Sequence, residues 1–131
     1  MKIRILTFLF GSLILFTNCD EDCDSVFHSC DSGPFYGDVN VRVTINDENP
    51  EVEIVLFRGR IEKQDMVIHE YVIENSTIYS LEAGVYYSGT AFYKDGIKEM
   101  LAINGKNLST STDDCDCKYA DNMSLNLKLA K

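Results

Sequence analysis

Hydrophobic and polar positions alternate with a period of two over most of the chain after residue 34. Val39, Val41, Val43 and Ile45 alternate with Asp38, Asn40, Arg42 and Thr44, the pattern of a half-buried strand. Asn46 to Pro50 is a turn cluster. Val52, Ile54 and Leu56 then line one face of a second strand, and Val55 and Phe57 add apolar surface to the other. Gly59 ends it, and residues 60–65 are charged and loop-like. Met66 to Ile73 predicts a third strand, broken by Asn75-Ser76, and Thr77 to Leu81 a short fourth. Val85 to Tyr93 predicts an aromatic-rich fifth, Lys94-Asp95-Gly96 a hairpin turn, and Ile97 to Ile103 the returning sixth. Asn104 to Asp116 reads as a long polar loop. Met123, Leu125, Leu127 and Leu129 alternate in a final strand. No stretch after residue 18 has helical periodicity. Seven short strands with frequent turns predict an all-β fold, a single antiparallel β-sandwich over residues 35–131, because one flat sheet would leave its apolar face wet.

The N-terminus follows a different pattern. Lys2 and Arg4 precede an apolar run from Ile5 to Phe16, and Thr17-Asn18-Cys19 closes it. That order is a secretory signal. Its apolar part is about 12 residues, short of the roughly 20 that a membrane span needs. A cysteine at the cleavage point resembles the lipobox of bacterial lipoproteins, with Phe16 and Asn18 standing where the usual lipobox has Leu and a small residue. This looser form is similar to lipoproteins of Bacteroidetes-type bacteria. The resemblance implies a signal peptide over 1–18, lipidation of Cys19 and a lipidated acidic tether over 19–34. It also implies that Asp20, Glu21 and Asp22 act as a surface-export signal, placing the chain on the outer membrane and facing the exterior. An ordinary cleaved signal that leaves Cys19 as a thiol has the same order of residues. Asp24-Ser25-Val26 resembles the O-glycosylation site of the same bacteria, with Ser25 as acceptor. An acyl-chain methylene contributes about 0.8 kcal/mol on burial, and stable anchoring takes more than one chain. A multiply acylated Cys19 meets that condition, so the domain itself need not touch lipid.

With Cys19 lipidated, Cys23, Cys30, Cys115 and Cys117 remain. An even number of cysteines in an exported chain reads as two disulfides. Pairing Cys115 with Cys117 would close a very small ring, so the preferred reading joins Cys23 and Cys30 each to one of Cys115 and Cys117. Such a bridge closes about 85 to 94 residues and contributes about 4–5 kcal/mol in the chain-entropy model. The local alternative pairs Cys23 with Cys30 and Cys115 with Cys117. A thiolate metal site, with His28 as a further ligand, is the other reading, but C-x6-C and C-x-C do not match zinc-knuckle spacing. No metal and no cofactor is expected.

Charge narrows the partners. Removal of residues 1–18 takes away two of the 12 basic side chains and none of the 21 acidic ones, leaving a net charge of −11. That excludes nucleic acid, whose phosphates need clustered Lys and Arg. Nucleophilic catalysis needs a base beside Ser or Cys. The two histidines are His28, in the tether, and His69, a strand-face residue beside Val67 and Tyr71, and no G-x-S-x-G occurs. Glu48, Glu51, Glu53, Glu62 and Glu70 are carboxylates without a predicted cleft. Asp113-Asp114-Cys115-Asp116, with Asp121-Asn122, reads as a solvated acidic loop; its spacing is not an EF-hand's. The chain is therefore expected not to be an enzyme.

Ser80-Leu81-Glu82-Ala83-Gly84-Val85-Tyr86 resembles the L-x-x-G-x-Y turn of prealbumin-like and carboxypeptidase-regulatory-like sandwich domains. The resemblance implies a prealbumin-like or Ig-like sandwich, with the aromatic opening an inward-facing strand. Tyr87 and Tyr93 share parity on the fifth strand, and exposed rings there would stack on sugar or anchor a protein interface. The expectation is a surface-exposed lipoprotein that binds or scaffolds a protein or glycan partner, held to the membrane only through Cys19. The alternatives are a carbohydrate-binding module using Tyr87 and Tyr93, and a periplasmic envelope-assembly factor.

Overall fold

The structure, a computed structural model, describes residues 30–130. Cys19, the Asp20–Asp22 triplet, Cys23, Ser25 and His28 lie outside the described residues. Among the described residues nine strands run in chain order: β1 (Tyr36–Arg42), β2 (Val52–Arg58), β3 (Met66–Val72), β4 (Ser76–Glu82), β5 (Val85–Asp95), β6 (Lys98–Leu108), β7 (Thr110–Thr112), β8 (Lys118–Ala120) and β9 (Met123–Asn126). One sheet has the order β4-β1-β9, the other β3-β2-β5-β6, and β7-β8 form a separate hairpin. The two sheets pack as a β-sandwich.

The core lies where the alternating positions face each other. Val39, Val41 and Val43 project from the first sheet with Met123, Leu125 and Leu127; Val52, Ile54 and Leu56 meet them from the second. Along β5 the inward residues are Tyr87, Gly89, Ala91 and Tyr93, large at both ends and small in the middle. A Cβ on Gly89 would come within 2.8 Å of Leu56 and 3.1 Å of Leu127, so the missing side chain is what lets those leucines fill the centre.

Three expectations are corrected. First, β1 and β9 pair in parallel, with Val39 opposite Met123 and Val41 opposite Leu125. Alternation marks which face a strand buries but not the direction in which it runs. Second, Asn104–Leu108 is strand, not loop. β6 stays paired to β5 down to Val85 opposite Leu108, and the fully buried Leu108 side chain anchors the stretch despite its polar composition. The polar segment after it also contains the β7-β8 hairpin. Third, the aromatic of the Leu81–Tyr86 turn, Tyr86, does not face inward; the turn is an arch between sheets, since β4 and β5 belong to different ones. Gly84 adopts a φ of +83° there and donates its N–H to the Leu108 carbonyl at 2.6 Å. Tyr86 then points outward over Gly105, and Tyr87 opens the inward series.

The molecule has two distinct ends. Cys30 and Cys117 are bridged, with Cα atoms 5.2 Å apart and a sequence separation of 87. This staples the chain just ahead of β1 to the β7-β8 hairpin. Cys115 is also disulfide-bonded, and Cys23, its expected partner, lies outside the described residues. The opposite end carries the Asn46–Pro50 loop, the β3-β4 turn and the two-residue β5-β6 turn at Gly96-Ile97. Gly96 has the positive φ of a type II′ turn, and Ile97 projects wholly into solvent.

Candidate functional site

Tyr87 and Tyr93 do not form an exposed face. They are 1% and 2% exposed and belong to the core. Tyr87 Oη donates to the Glu82 carbonyl at 2.9 Å. Tyr93 Oη donates to the Leu127 carbonyl at 2.6 Å and accepts the Thr44 N–H at 3.0 Å. Burial raises the pKa of both phenols. Their shared parity is real, but the side that they share is the inner one. Gly89 and Ala91 have the same parity, and small residues belong where two sheets close on each other.

The opposite parity builds an unusual surface. Register places Tyr71, Glu53, Phe92 and Leu101 in one row across the outer face of β3-β2-β5-β6. The next row is His69, Val55, Thr90 and Ile103, and Tyr86 stands further along β5. Tyr71 is 59% exposed, Phe92 45%, Leu101 48% and Ile103 58%. Ser88 and Thr90 face the same way yet are buried beneath their larger neighbours. What sets this face apart is that its exposed apolar side chains adjoin one another, and contiguous apolar surface of this kind marks interaction sites.

Two depressions bound this face. One of about 420 Å³, lined by Arg60, Tyr86, Ile103 and Asn104, lies toward the stapled end. The other, of about 550 Å³, lies toward the end with the Asn46–Pro50 loop and is walled by Tyr71 and Phe92, with Glu48, Glu51, Glu53 and Glu99 around it. The buried Asn49 shapes its wall by binding β5 as a strand partner would. Asn49 Oδ1 accepts the Lys94 N–H at 2.7 Å, and its Nδ2 donates to the Lys94 carbonyl at 2.9 Å. A turn-forming asparagine gave no sign of this in the sequence, because its partner is 45 residues away.

The remaining candidates have structural partners. His69 Nε2 lies 2.7 Å from Glu53 Oε1 on the outer face. The Tyr79 hydroxyl donates to Glu70 and ties β4 to β3 across the open edge of the sandwich. Burial, then the Glu70 contact, raises the Tyr79 pKa well above the ordinary phenol value. In the acidic loop, Asp113 Oδ1 accepts the Cys115 and Cys117 N–H groups, both at 2.9 Å, and so closes the turn that carries the disulfide. Asp121 accepts from the Ser111 and Ser109 hydroxyls, each at 2.7 Å, which holds its carboxyl below the usual range. Asn122 Oδ1 accepts the Asp38 N–H at 3.0 Å. Among the described residues, no three His, Cys, Asp or Glu side chains gather as metal ligands.

Comparison with known protein families, with curated proteins and with solved structures finds no match to this chain.

Proposed function

We propose that this chain is a non-enzymatic, lipid-anchored binding module of the bacterial outer membrane, displayed at the cell surface, which engages a polypeptide partner through the outer face of β3-β2-β5-β6. One observation carries the reading: Tyr71, Phe92, Leu101, Ile103 and Tyr86 stand exposed together on one side of a single sheet. Interface cores are rich in aromatics, and this face carries Tyr71, Tyr86 and Phe92. Its two depressions are shallow recesses suited to side-chain anchors. The lipobox resemblance at Cys19 and the acidic residues after it support the address.

The test places a photoreactive side chain at Leu101, at Ile103, or at Ser80 on the outer side of the other sheet, in the full chain in its native envelope. Leu101 and Ile103 are expected to give one discrete protein adduct that Phe92→Asp abolishes, with none from Ser80. Equal adducts from all three positions, or an adduct that survives Phe92→Asp, would overturn the reading. Protease treatment of intact cells checks the address. Removal of the chain supports surface display, and protection places it in the periplasm as an envelope-assembly factor.

A further inference from the structure

We infer that the row Tyr71–Glu53–Phe92 is a seat for an arginine side chain presented by the partner polypeptide. The inference rests on the reading of this face as a protein-binding surface and names the chemistry that it selects. Tyr71 and Phe92 lie on the strands either side of Glu53, so their backbones are about 10 Å apart, two strand spacings. Side chains on one face of a sheet stand roughly perpendicular to it. Two rings therefore rise on either side of a carboxylate, with a gap wide enough for a planar guanidinium. Arginine stacks on aromatic faces and forks onto carboxylates, and no other side chain does both.

Charge complementarity points the same way. Four glutamates border this depression against one lysine, Lys94. Lys94 stands directly across the strand pair from Glu99 and offsets that carboxylate. Glu53 Oε1 is held by the exposed His69 Nε2 at 2.7 Å, which leaves Oε2 for a second partner. Glu48 and Glu51 form no ion pair among the described residues. Among the described residues that line this depression Lys94 is the one Lys or Arg against four carboxylates, a balance that favours a cationic side chain from the partner.

The experiment uses the full lipidated chain in a nonionic detergent at about 0.15 M salt, where exposed charges are screened beyond roughly 8 Å. The probes are an arginine hexamer, a lysine hexamer and a citrulline hexamer, the last matching arginine in shape without its charge. The arginine hexamer is expected to bind about tenfold more tightly than either of the others. Glu53→Gln and Phe92→Ala should each weaken it about fivefold or more. Asp114→Asn, in the acidic loop near the disulfide, should change it by less than about twofold. Equal binding of the lysine hexamer, or an equal loss with Asp114→Asn, would overturn the seat in favour of diffuse charge attraction. Equal binding of the citrulline hexamer would overturn it and leave the protein-binding face standing. Binding of a neutral oligosaccharide, lost in Phe92→Ala, with no hexamer bound, would overturn both.

Discussion

Tyr93 shows how one hydroxyl binds two distant segments together. Its Oη holds the Leu127 carbonyl and the Thr44 N–H, so removing it leaves a buried donor and acceptor unpaired. Tyr93→Phe is expected to cost about 1–3 kcal/mol in urea unfolding, more than a similar change at the exposed Tyr71. The three shifted phenols also set a pH limit. Burial raises the pKa of Tyr79, Tyr87 and Tyr93 above the ordinary 10.0, so the unfolded chain loses these protons first. Their contribution is complete below pH 10.0 and is lost as pH rises above it. Unfolding midpoints should therefore fall steeply on the alkaline side, and Tyr79→Phe should flatten that fall.

At the scale of elements, the first strand depends on one close approach. A Cβ on Gly37 would run into the backbone carbonyl of Asp121, between β8 and β9, and main chain cannot move aside as a side-chain tip can. Gly37→Ala is expected to destabilise by about 1–3 kcal/mol and to loosen the parallel β1-β9 pair first. Hydrogen exchange of Val41 and Leu125 amides would report it. The strands were largely legible from alternation because each buries one face. β6 was not legible in full. Asn104, Gly105, Lys106 and Asn107 carry no strand signal, and they are strand because β5 is long enough to pair with them.

Across the whole molecule, the Cys30–Cys117 bridge constrains 87 residues of sequence separation. Replacing both cysteines by serine is expected to lower stability by about 4–5 kcal/mol, read as a shifted urea midpoint. Intact mass of the protein from its native membrane tests the remaining covalent chemistry. It should equal residues 19–131 plus acyl chains, and rise on reduction by one hydrogen for each of Cys23, Cys30, Cys115 and Cys117. An unacylated mass would remove the anchor from the proposed function without touching the binding face.

Alternation with a period of two settled the all-β class and the buried faces of β1, β2 and β9, because a half-buried strand must sort its side chains between water and core. It did not settle which parity of β5 is inside. Tyr86 and Phe92 on one side, Tyr87 and Tyr93 on the other, are equally apolar as a string of letters. Only the β4-β1-β9 sheet, closing over Gly89 and Ala91 with Leu125 and Leu127 filling the space, decides which rings are buried. The exposed row Tyr71–Glu53–Phe92 has the same origin. Its members are far apart in sequence and come together through strand register, which pairing partners set and no single segment contains.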